Sequence, residues 1–251
     1  MKYKLILLDL DNTLTPDLGM PPQKFMPSLR LYKTIIRASK EVYISLCTGR
    51  DKNTVLKIVN KFSLNSPQII DGGARIIDSE GNDLWVCYVD KESVKKIFKL
   101  LSTVNKSFSI IVGGVEIVDK LPKKNMGKIT AVLVYDLTSK EIVSLKKILL
   151  PEKNLNITIN TDKGGNTVYI THKNGTKFHG ITKLMNILNI KKEEAIGIGD
   201  GENDITLLLS CGLKVAMGNA TKSLKKIADF VAPTVNNDGV AQVIEKFILR
   251  K

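Results

Sequence analysis

The feature that most constrains the fold is a recurring series of short apolar runs, each followed by a polar turn and then by a stretch with helical spacing. In the N-terminal part the apolar runs are Tyr3–Leu8, Val42–Cys47 and Gln68–Ile70, and helical patterns cover Leu29–Ser39 and Asp51–Phe62. Runs so short and so uniformly apolar are typical of strands that are buried on both faces. Strands that alternate with helices predict a parallel sheet of the α/β class.

The same alternation returns near the C-terminus. The expected strands are Ala195–Gly199 and Leu213–Met217. The expected helices are Gly180–Asn189, Asn203–Ser210, a helix capped by Thr221 that runs through Phe230, and Asp238–Leu249. Far upstream, the segment Pro16–Pro27 contains prolines and a glycine and is expected to be a loop.

The residues between these two parts follow a different pattern. Two amphipathic helices are expected at Lys91–Leu101 and Ser139–Leu149. Four strands, interpreted as exposed-edge strands, are expected at Phe108–Val112, Ile129–Tyr135, Leu155–Asn160 and Thr167–Thr171. Because these elements are grouped and do not strictly alternate, they indicate an inserted α+β unit. We therefore predict a discontinuous core of residues 1–80 and 168–251 and an inserted domain of residues 81–167.

The net charge of +13 raises the question of a nucleic-acid partner. The lysines occur mostly as scattered pairs, as expected on solvated helix faces, and no basic run reaches five residues. We therefore expect no nucleic-acid partner. A positive field would also attract a small phosphorylated substrate.

The length of the apolar runs, the spacing of the cysteines and the number of histidines exclude further classes of protein and of site. No run approaches the ~20 apolar residues that span a bilayer, and the first run is too short for a signal peptide. The protein is therefore expected to be cytoplasmic, without a membrane partner. Cys47, Cys87 and Cys211 are isolated from one another, which excludes a disulfide framework and a Cys-x-x-Cys site. With only two histidines in the chain, catalysis is expected to depend on carboxylates, hydroxyls or lysines.

Two acidic turns each follow an apolar run. Asp9 and Asp11 follow the first run, and Asp200 and Asp204 flank Asn203 after a later one. Ligands of open α/β sheets bind beyond the carboxyl ends of strands. Neighbouring carboxylates raise one another's pKa unless a cation compensates them, and Mg²⁺ prefers such oxygen ligands. Solvated turns and helix caps are the alternative interpretations, but two such turns favour a shared Mg²⁺ site.

A phosphate-binding group is indicated by two further features. Thr48 and Gly49 end the second apolar run, where a hydroxyl, a backbone N–H and a helix N-terminus together can hold an anion. Lys177 precedes the second acidic turn by the length of one helix and one strand, so it could neutralise phosphate charge. Lys173 and Lys183 are competing candidates, and a surface position is the alternative for any of the three.

These four elements, in this order, resemble the four motifs of the haloacid dehalogenase superfamily. The sequences Asp9-Leu10-Asp11-Asn12-Thr13, Thr48-Gly49-Arg50 and Gly199-Asp200-Gly201-Glu202-Asn203-Asp204, together with Lys177, are most similar to its Cof-type, class IIB branch. The resemblance implies a Rossmann-like parallel sheet core with an inserted α+β cap domain over the site.

The resemblance also implies a role for each residue. Asp9 would be the nucleophile and a metal ligand, while Asp11 would be the general acid/base and would ligate the metal through its backbone carbonyl. Thr48 and Lys177 would hold the phosphoryl oxygens. Asp200 would complete the Mg²⁺ shell, and Asp204 and Asn203 would support it or ligate through water.

The chain departs from the branch at two places. The branch usually has Asn-Gly-Ala after its third strand, where this chain has Gly72-Gly73-Ala74, and its lysine is usually followed by glycine, where Phe178 and His179 precede Gly180 here. Both differences concern substrate contacts.

The function implied by the resemblance is that of a Mg²⁺-dependent phosphatase. It would hydrolyse small phosphorylated metabolites, of the sugar phosphate or phosphoglycolate type, through a phosphoaspartate intermediate. A sugar phosphomutase of the same superfamily and a non-catalytic phosphometabolite-binding protein are the alternatives. Substrate specificity is expected to come from the inserted domain.

Overall fold

A computed structural model describes residues 2–16, 24–103, 105–162 and 165–249. Most of the expected loop Pro16–Pro27 lies outside these residues. The described strands are β1 (Leu5–Leu8), β2 (Tyr43–Leu46), β3 (Gln68–Ile70), β4 (Arg75–Ile77), β5 (Asp83–Val86), β6 (Phe108–Val112), β7 (Val115–Val118), β8 (Ile129–Val134), β9 (Leu155–Asp162), β10 (Gly165–His172), β11 (Ala195–Gly199), β12 (Leu213–Ala216) and β13 (Phe230–Val231). The described α-helices are α1 (Leu29–Ala38), α2 (Lys52–Phe62), α3 (Lys91–Leu101), α4 (Ser139–Leu149), α5 (Lys177–Leu188), α6 (Ile205–Leu209), α7 (Lys222–Ile227) and α8 (Gly239–Phe247).

The core is a five-stranded parallel sheet in the order β13-β12-β11-β1-β2. Strand β1 lies between β2 and β11, and all four of its residues are buried. Strands from both ends of the chain pair directly, and the parallel sheet confirms the predicted α/β class. The carboxyl ends of β1, β2 and β11 therefore meet at one edge of the sheet.

The helices of the core are formed by apolar stripes and capped ends. In α1 the buried residues Leu31, Thr34, Ile35 and Ala38 lie on one face at helical spacing, so that this face packs toward the core. Helix α2 begins after Asp51, whose carboxylate accepts hydrogen bonds from two backbone N–H groups of the first turn. The predicted cap at this position is confirmed.

The inserted unit contains a five-stranded antiparallel sheet in the order β7-β6-β8-β10-β9. Helices α3 and α4 have the predicted bounds, and their buried residues join those of the sheet in one hydrophobic cluster. The expectation of exposed-edge strands is wrong for β6, β8 and β10, because each of them pairs with a strand on both sides, and β8 is also fully buried. The sequence analysis also missed β7, which pairs with β6.

Several element bounds differ from the predictions. Strands β3, β4 and β5 form a separate antiparallel sheet, of which only β3 was predicted. The predicted helix through Phe230 is wrong, because α7 ends at Ile227 and Phe230 pairs with Val215 at the edge of the parallel sheet. Helix α5 begins three residues before Gly180. Strand β10 crosses the predicted boundary between residues 167 and 168, and it pairs along its whole length with β9 in the antiparallel sheet. The division of the chain into domains at residues 81 and 167 stays a prediction.

No helix among the described residues is long and apolar enough to cross a bilayer. The three cysteines are free thiols, and Cys47 and Cys211 are buried.

Candidate active site

Three neighbouring strand ends bring predicted site residues together. Asp9 follows β1, Thr48 follows β2 and Asp200 follows β11. The backbone N–H of Asp9 donates to the carbonyl of Ile198 on β11 at 3.0 Å, which fixes its position beside the neighbouring strand. The alternation of strands and helices thus places side chains from distant parts of the sequence in one crevice.

Lys177 lies at the centre of this crevice. Its Nζ is 2.7 Å from Oδ1 of Asp9 and 2.6 Å from Oδ1 of Asp204. Lys177 is buried, whereas the two competing candidates, Lys173 and Lys183, are exposed. Burial alone lowers the pKa of Lys177, but the attraction of the two carboxylates outweighs burial and raises that pKa well above its usual value.

Two glycines set the position of Lys177 by allowing a close backbone approach. Gly73 has a φ of +105°, and a Cβ added there would lie 2.2 Å from the carbonyl carbon of Thr176. A Cβ on Gly180 would lie 2.8 Å from the carbonyl oxygen of Gly73. The first turn of α5 therefore packs directly against the turn after β3.

Carboxylates of Asp9, Asp200 and Asp204 form an acidic cluster in which oxygen atoms of all three lie within 4.8 Å of one another. Burial, reinforced by the neighbouring carboxylates, raises the pKa of Asp9 well above its usual value. Burial, with repulsion from Asp204, raises the pKa of Asp200 to about 7. Oxygen donors gathered in this way, with the ionised forms of Asp9 and Asp200 destabilised, fit a hard divalent cation such as Mg²⁺.

Hydrogen bonds orient two of these carboxylates. Asp204 is fully buried, and its Oδ2 accepts from the backbone N–H groups of Asp200 at 3.1 Å and Gly201 at 3.0 Å, while its Oδ1 accepts from Lys177. Thr13 donates its hydroxyl to Oδ1 of Asp200 at 2.8 Å. The sequence analysis assigned no role to Thr13, although it lies within the first motif.

Asp11 lies apart from the acidic cluster. Arg50 holds its carboxylate with two hydrogen bonds, from Nε at 3.0 Å and from Nη2 at 2.9 Å. Burial lowers the pKa of Arg50, but its hydrogen bonds to Asp11 outweigh burial and raise it. The contact of Arg50 with Asp11 was not predicted, and its signal was the position of Arg50 directly after the Thr48-Gly49 pair.

The residues of the predicted anion cradle lie together after the end of β2. Thr48 is buried, and its hydroxyl accepts from the backbone N–H of Arg50 at 3.2 Å. Gly49 lies so close to Tyr169 that an added Cβ would be 2.7 Å from the phenol oxygen. Tyr169 belongs to β10, so the antiparallel sheet closes over the cradle.

Two adjoining cavities, each of about 270 Å³, lie between the core and the antiparallel sheet. The cavity beside the acidic cluster is lined by Asp9, Asp11, Asn12, Thr48, Gly49, Arg50, Ile111, Glu116, Leu133, Tyr135, Asn160, Thr167, Tyr169, Asp200, Gly201 and Asn203. The side cavity is lined by Gly49, Gly72, Asn156, Thr158, Asn160, Tyr169, Thr171, Thr176, Lys177, Glu202, Asn203 and Thr206. All the predicted site residues line one or both, except Asp204, which lies buried beside Lys177.

Comparison with known proteins identifies the family. The haloacid dehalogenase-like hydrolase family model matches residues 6–120 and 113–244. Phosphoglycolate phosphatase 1 of Saccharolobus solfataricus is 26% identical over 98% of this chain and 96% of its own. The 5-amino-6-(5-phospho-D-ribitylamino)uracil phosphatase of Bacillus subtilis is 25% identical over 98% of this chain and 96% of its own.

Solved structures show the same fold. A haloacid dehalogenase-like hydrolase from B. subtilis superposes with a TM-score of 0.83 at 21% identity, over 98% of this chain and 100% of that one. A second haloacid dehalogenase-like hydrolase, from Bacteroides thetaiotaomicron, superposes with a TM-score of 0.82 at 23% identity, over 98% of this chain and 100% of that one. The chain belongs to the haloacid dehalogenase-like hydrolases, and this membership supports the predicted class of enzyme, a phosphoric monoester hydrolase.

Proposed function

We propose that the protein is a Mg²⁺-dependent phosphatase that hydrolyses small phosphorylated metabolites through a phosphoaspartate on Asp9. The observation that carries the proposal is the position of Asp9. Its carboxylate is held at the end of a buried strand, 2.7 Å from a buried lysine and beside two further carboxylates. Such a group can attack phosphorus while fixed charges neutralise the phosphoryl oxygens.

Asp11 is proposed as the general acid/base. It would protonate the departing alcohol oxygen and then deprotonate the water that releases phosphate from Asp9. For this work the carboxylate of Asp11 must leave the two hydrogen bonds with Arg50. The pair is nearly half exposed, so the cost of separating it is small, on the order of 1 kcal/mol.

The phosphoryl group is proposed to lie against the hydroxyl of Thr48, the backbone of Gly49 and the ammonium group of Lys177. Asn203 lines both cavities and would contact the substrate from the opposite side. Phosphoryl transfer depends mainly on such positioning and charge neutralisation, so these contacts supply much of what the reaction needs.

The acidic cluster is proposed to hold Mg²⁺ through Asp9, Asp200 and the backbone carbonyl of Asp11. Both oxygens of Asp204 already accept hydrogen bonds, which favours a supporting role for this residue over direct ligation. When bound, Mg²⁺ would withdraw charge from the phosphoryl oxygens and compensate the clustered carboxylates.

Release of inorganic phosphate from p-nitrophenyl phosphate tests the proposal. We expect turnover with Mg²⁺, loss of turnover with excess EDTA, and no turnover by Asp9→Asn, because an amide is a poor nucleophile. Full activity in excess chelator would overturn the metal assignment. A protein that binds phosphate esters without turnover would be the non-catalytic alternative, and isomerisation of a sugar phosphate without phosphate release would indicate a mutase.

A further inference from the structure

The turn after β12, residues 217–221, contacts both acidic turns of the candidate site. The side chain of Asn219 donates through Nδ2 to the backbone carbonyl of Asn12 at 2.8 Å. The backbone N–H of Thr221 donates to the carbonyl of Asp200 at 2.9 Å. One short segment is thus bonded to the first acidic turn through a side chain and to the second through its backbone.

The Asn219 amide uses both its donor and its acceptor. Its Oδ1 accepts from the backbone N–H of Val235 at 2.9 Å, in the turn that precedes α8. A carboxamide presents the donor and the acceptor in one rigid plane, so a partner for each fixes its orientation. Asn219 is not among the described residues that line the two cavities. An effect of this side chain on the reaction must therefore pass through Asn12.

The support matters because the backbone of Asn12 is left-handed, with a φ of +57°. This conformation costs free energy for residues other than glycine, although asparagine tolerates it better than most. The backbone N–H of Asn12 donates to the carbonyl of Thr15 at 2.7 Å, and its own carbonyl accepts from Asn219. Hydrogen bonds therefore fix the peptide planes both before and after Asn12.

The peptide plane before Asn12 contains the carbonyl of Asp11, which is proposed to bind Mg²⁺. Because a peptide unit is planar and rigid, the N–H of Asn12 and the carbonyl of Asp11 turn together. The carboxylate of Asp11, proposed as the general acid/base, extends from the same residue. A change in the backbone at Asn12 therefore moves both groups of Asp11.

We propose, on the basis of the phosphatase function above, that Asn219 is a positioning residue for Asp11. Its amide, held at Val235, fixes the carbonyl of Asn12 and so the two groups of Asp11. In the reaction the ester P–O bond breaks, the phosphoryl group passes to Asp9, and the departing oxygen takes its proton from Asp11. Water then releases phosphate and returns a proton to Asp11. Loss of the Asn219 amide impairs the steps that move this proton.

Two esters that differ in their need of a proton test this role. p-Nitrophenolate leaves with little protonation, whereas phenolate is a stronger base, so phenyl phosphate depends more on a positioned general acid. We expect Asn219→Ala to raise the ratio of kcat/KM for p-nitrophenyl phosphate to that for phenyl phosphate by about fivefold or more, a part of the ~10²–10⁴-fold that general acid catalysis contributes. One preparation serves both esters, so unfolded protein lowers both values equally and leaves the ratio unchanged.

Binding of Mg²⁺ gives a second readout that does not depend on turnover. In calorimetric titrations of the metal-free protein with MgCl₂, we expect the Kd of Asn219→Ala to be about threefold or more above that of the wild type. This is less than the ~10–100-fold contributed by partners in direct contact with a metal ligand, because Asn219 acts through one residue more.

Asn237→Ala is the matched control. Like that of Asn219, the side chain of Asn237 is exposed and its amide donates a hydrogen bond, to Oγ1 of Thr234 at 3.1 Å beside Val235. This variant should keep the wild-type ratio of kcat/KM and the wild-type Kd for Mg²⁺.

Each result decides between outcomes. An unchanged ratio and an unchanged Kd in Asn219→Ala would overturn this inference while leaving the phosphatase function intact. An equal fall of kcat/KM for both esters with an unchanged Kd would also overturn it, because that result indicates a structural role alone. The same changes in Asn237→Ala as in Asn219→Ala would overturn it as well. No hydrolysis of either ester by the wild type with Mg²⁺ would instead overturn the proposed function itself.

Discussion

Lys177 is enclosed at a depth where an isolated lysine would lose its charge. Asp9 and Asp204 keep it protonated, and it in turn limits the repulsion between their carboxylates. Removing one member of such a buried group leaves the others uncompensated, so each of the three depends on its neighbours. The order of residues in the sequence suggested this lysine, but only the packing of α5 distinguishes it from Lys173 and Lys183.

Substitution of Lys177 should therefore be far more damaging than substitution of its neighbours. Lys177→Ala removes a fixed cation beside the developing phosphoryl charge, and we expect kcat to fall on the order of 10²-fold or more. Lys173→Ala and Lys183→Ala should have nearly wild-type kcat with p-nitrophenyl phosphate. A mild effect of Lys177→Ala with a strong effect of either control would show that the wrong lysine has been assigned.

The acidic cluster gives a second prediction at the same scale. Asp200→Ala removes a carboxylate proposed to hold Mg²⁺, so the concentration of Mg²⁺ that gives half-maximal activity should rise by about tenfold or more. Asp78→Ala, at a site outside the two cavities, is the matched control and should not change it. Titration of activity with MgCl₂ measures the concentration for half-maximal activity in both variants. An unchanged Mg²⁺ requirement in Asp200→Ala would contradict the ligand assignment.

At the scale of elements, the contact between the turn after β3 and the start of α5 positions Lys177, the lysine proposed to bind phosphate. Sequence patterns predicted both elements, but they could not show that Gly73 and Gly180 touch, because the two residues are far apart in the chain. Other errors have local causes. Strand β13 has only two residues, too few for a periodic signal, whereas β7 could have been predicted from Gly113-Gly114 between two apolar runs, which is a hairpin signal.

Gly73→Ala tests this contact. A Cβ at Gly73 would overlap the backbone that begins α5, so we expect a fall in kcat of about tenfold or more as Lys177 shifts, since small displacements of catalytic groups have effects of this size. Gly113→Ala is the matched control, because Gly113 also has a positive φ but has no atom within 4 Å of its added Cβ. It should lose about 1 kcal/mol in the free energy of unfolding and keep its kcat. Equal kcat values for the two variants would contradict the argument.

At the scale of the whole molecule, a buried polar network joins the core to the antiparallel sheet. Asp71 is fully buried with a φ of +55°, and its carboxylate accepts hydrogen bonds from Arg75 at 2.9 Å and from Thr130 of β8 at 2.8 Å. Its backbone N–H donates to the carbonyl of Arg50, so the same residue supports the loop that carries the anion cradle. The sequence analysis predicted two parts of the molecule but not this link, because a lone aspartate in a glycine turn indicates only a turn.

Thr130→Val should weaken this link without changing the volume of the side chain. One hydrogen bond to a buried carboxylate is lost, so we expect the free energy of unfolding to fall by about 1.5–3 kcal/mol in urea titrations. Thr182→Val, on the exposed face of α5, is the control and should change it by less than about 0.5 kcal/mol. Identical urea curves for Thr130→Val and the wild type would show that the network does not couple the two parts.

The central claim is that Asp9 becomes covalently phosphorylated, and intact mass after acid quench tests it most directly. Asp11→Asn keeps the nucleophile but removes the group that activates water, and p-nitrophenolate leaves with little need of a proton. The acyl phosphate should then accumulate, adding about 80 Da to the protein as in other covalent phosphoryl intermediates, and peptide mapping should place it on the peptide that contains Asp9. A catalytically active enzyme that never carries this mass, or carries it on another residue, would contradict the account.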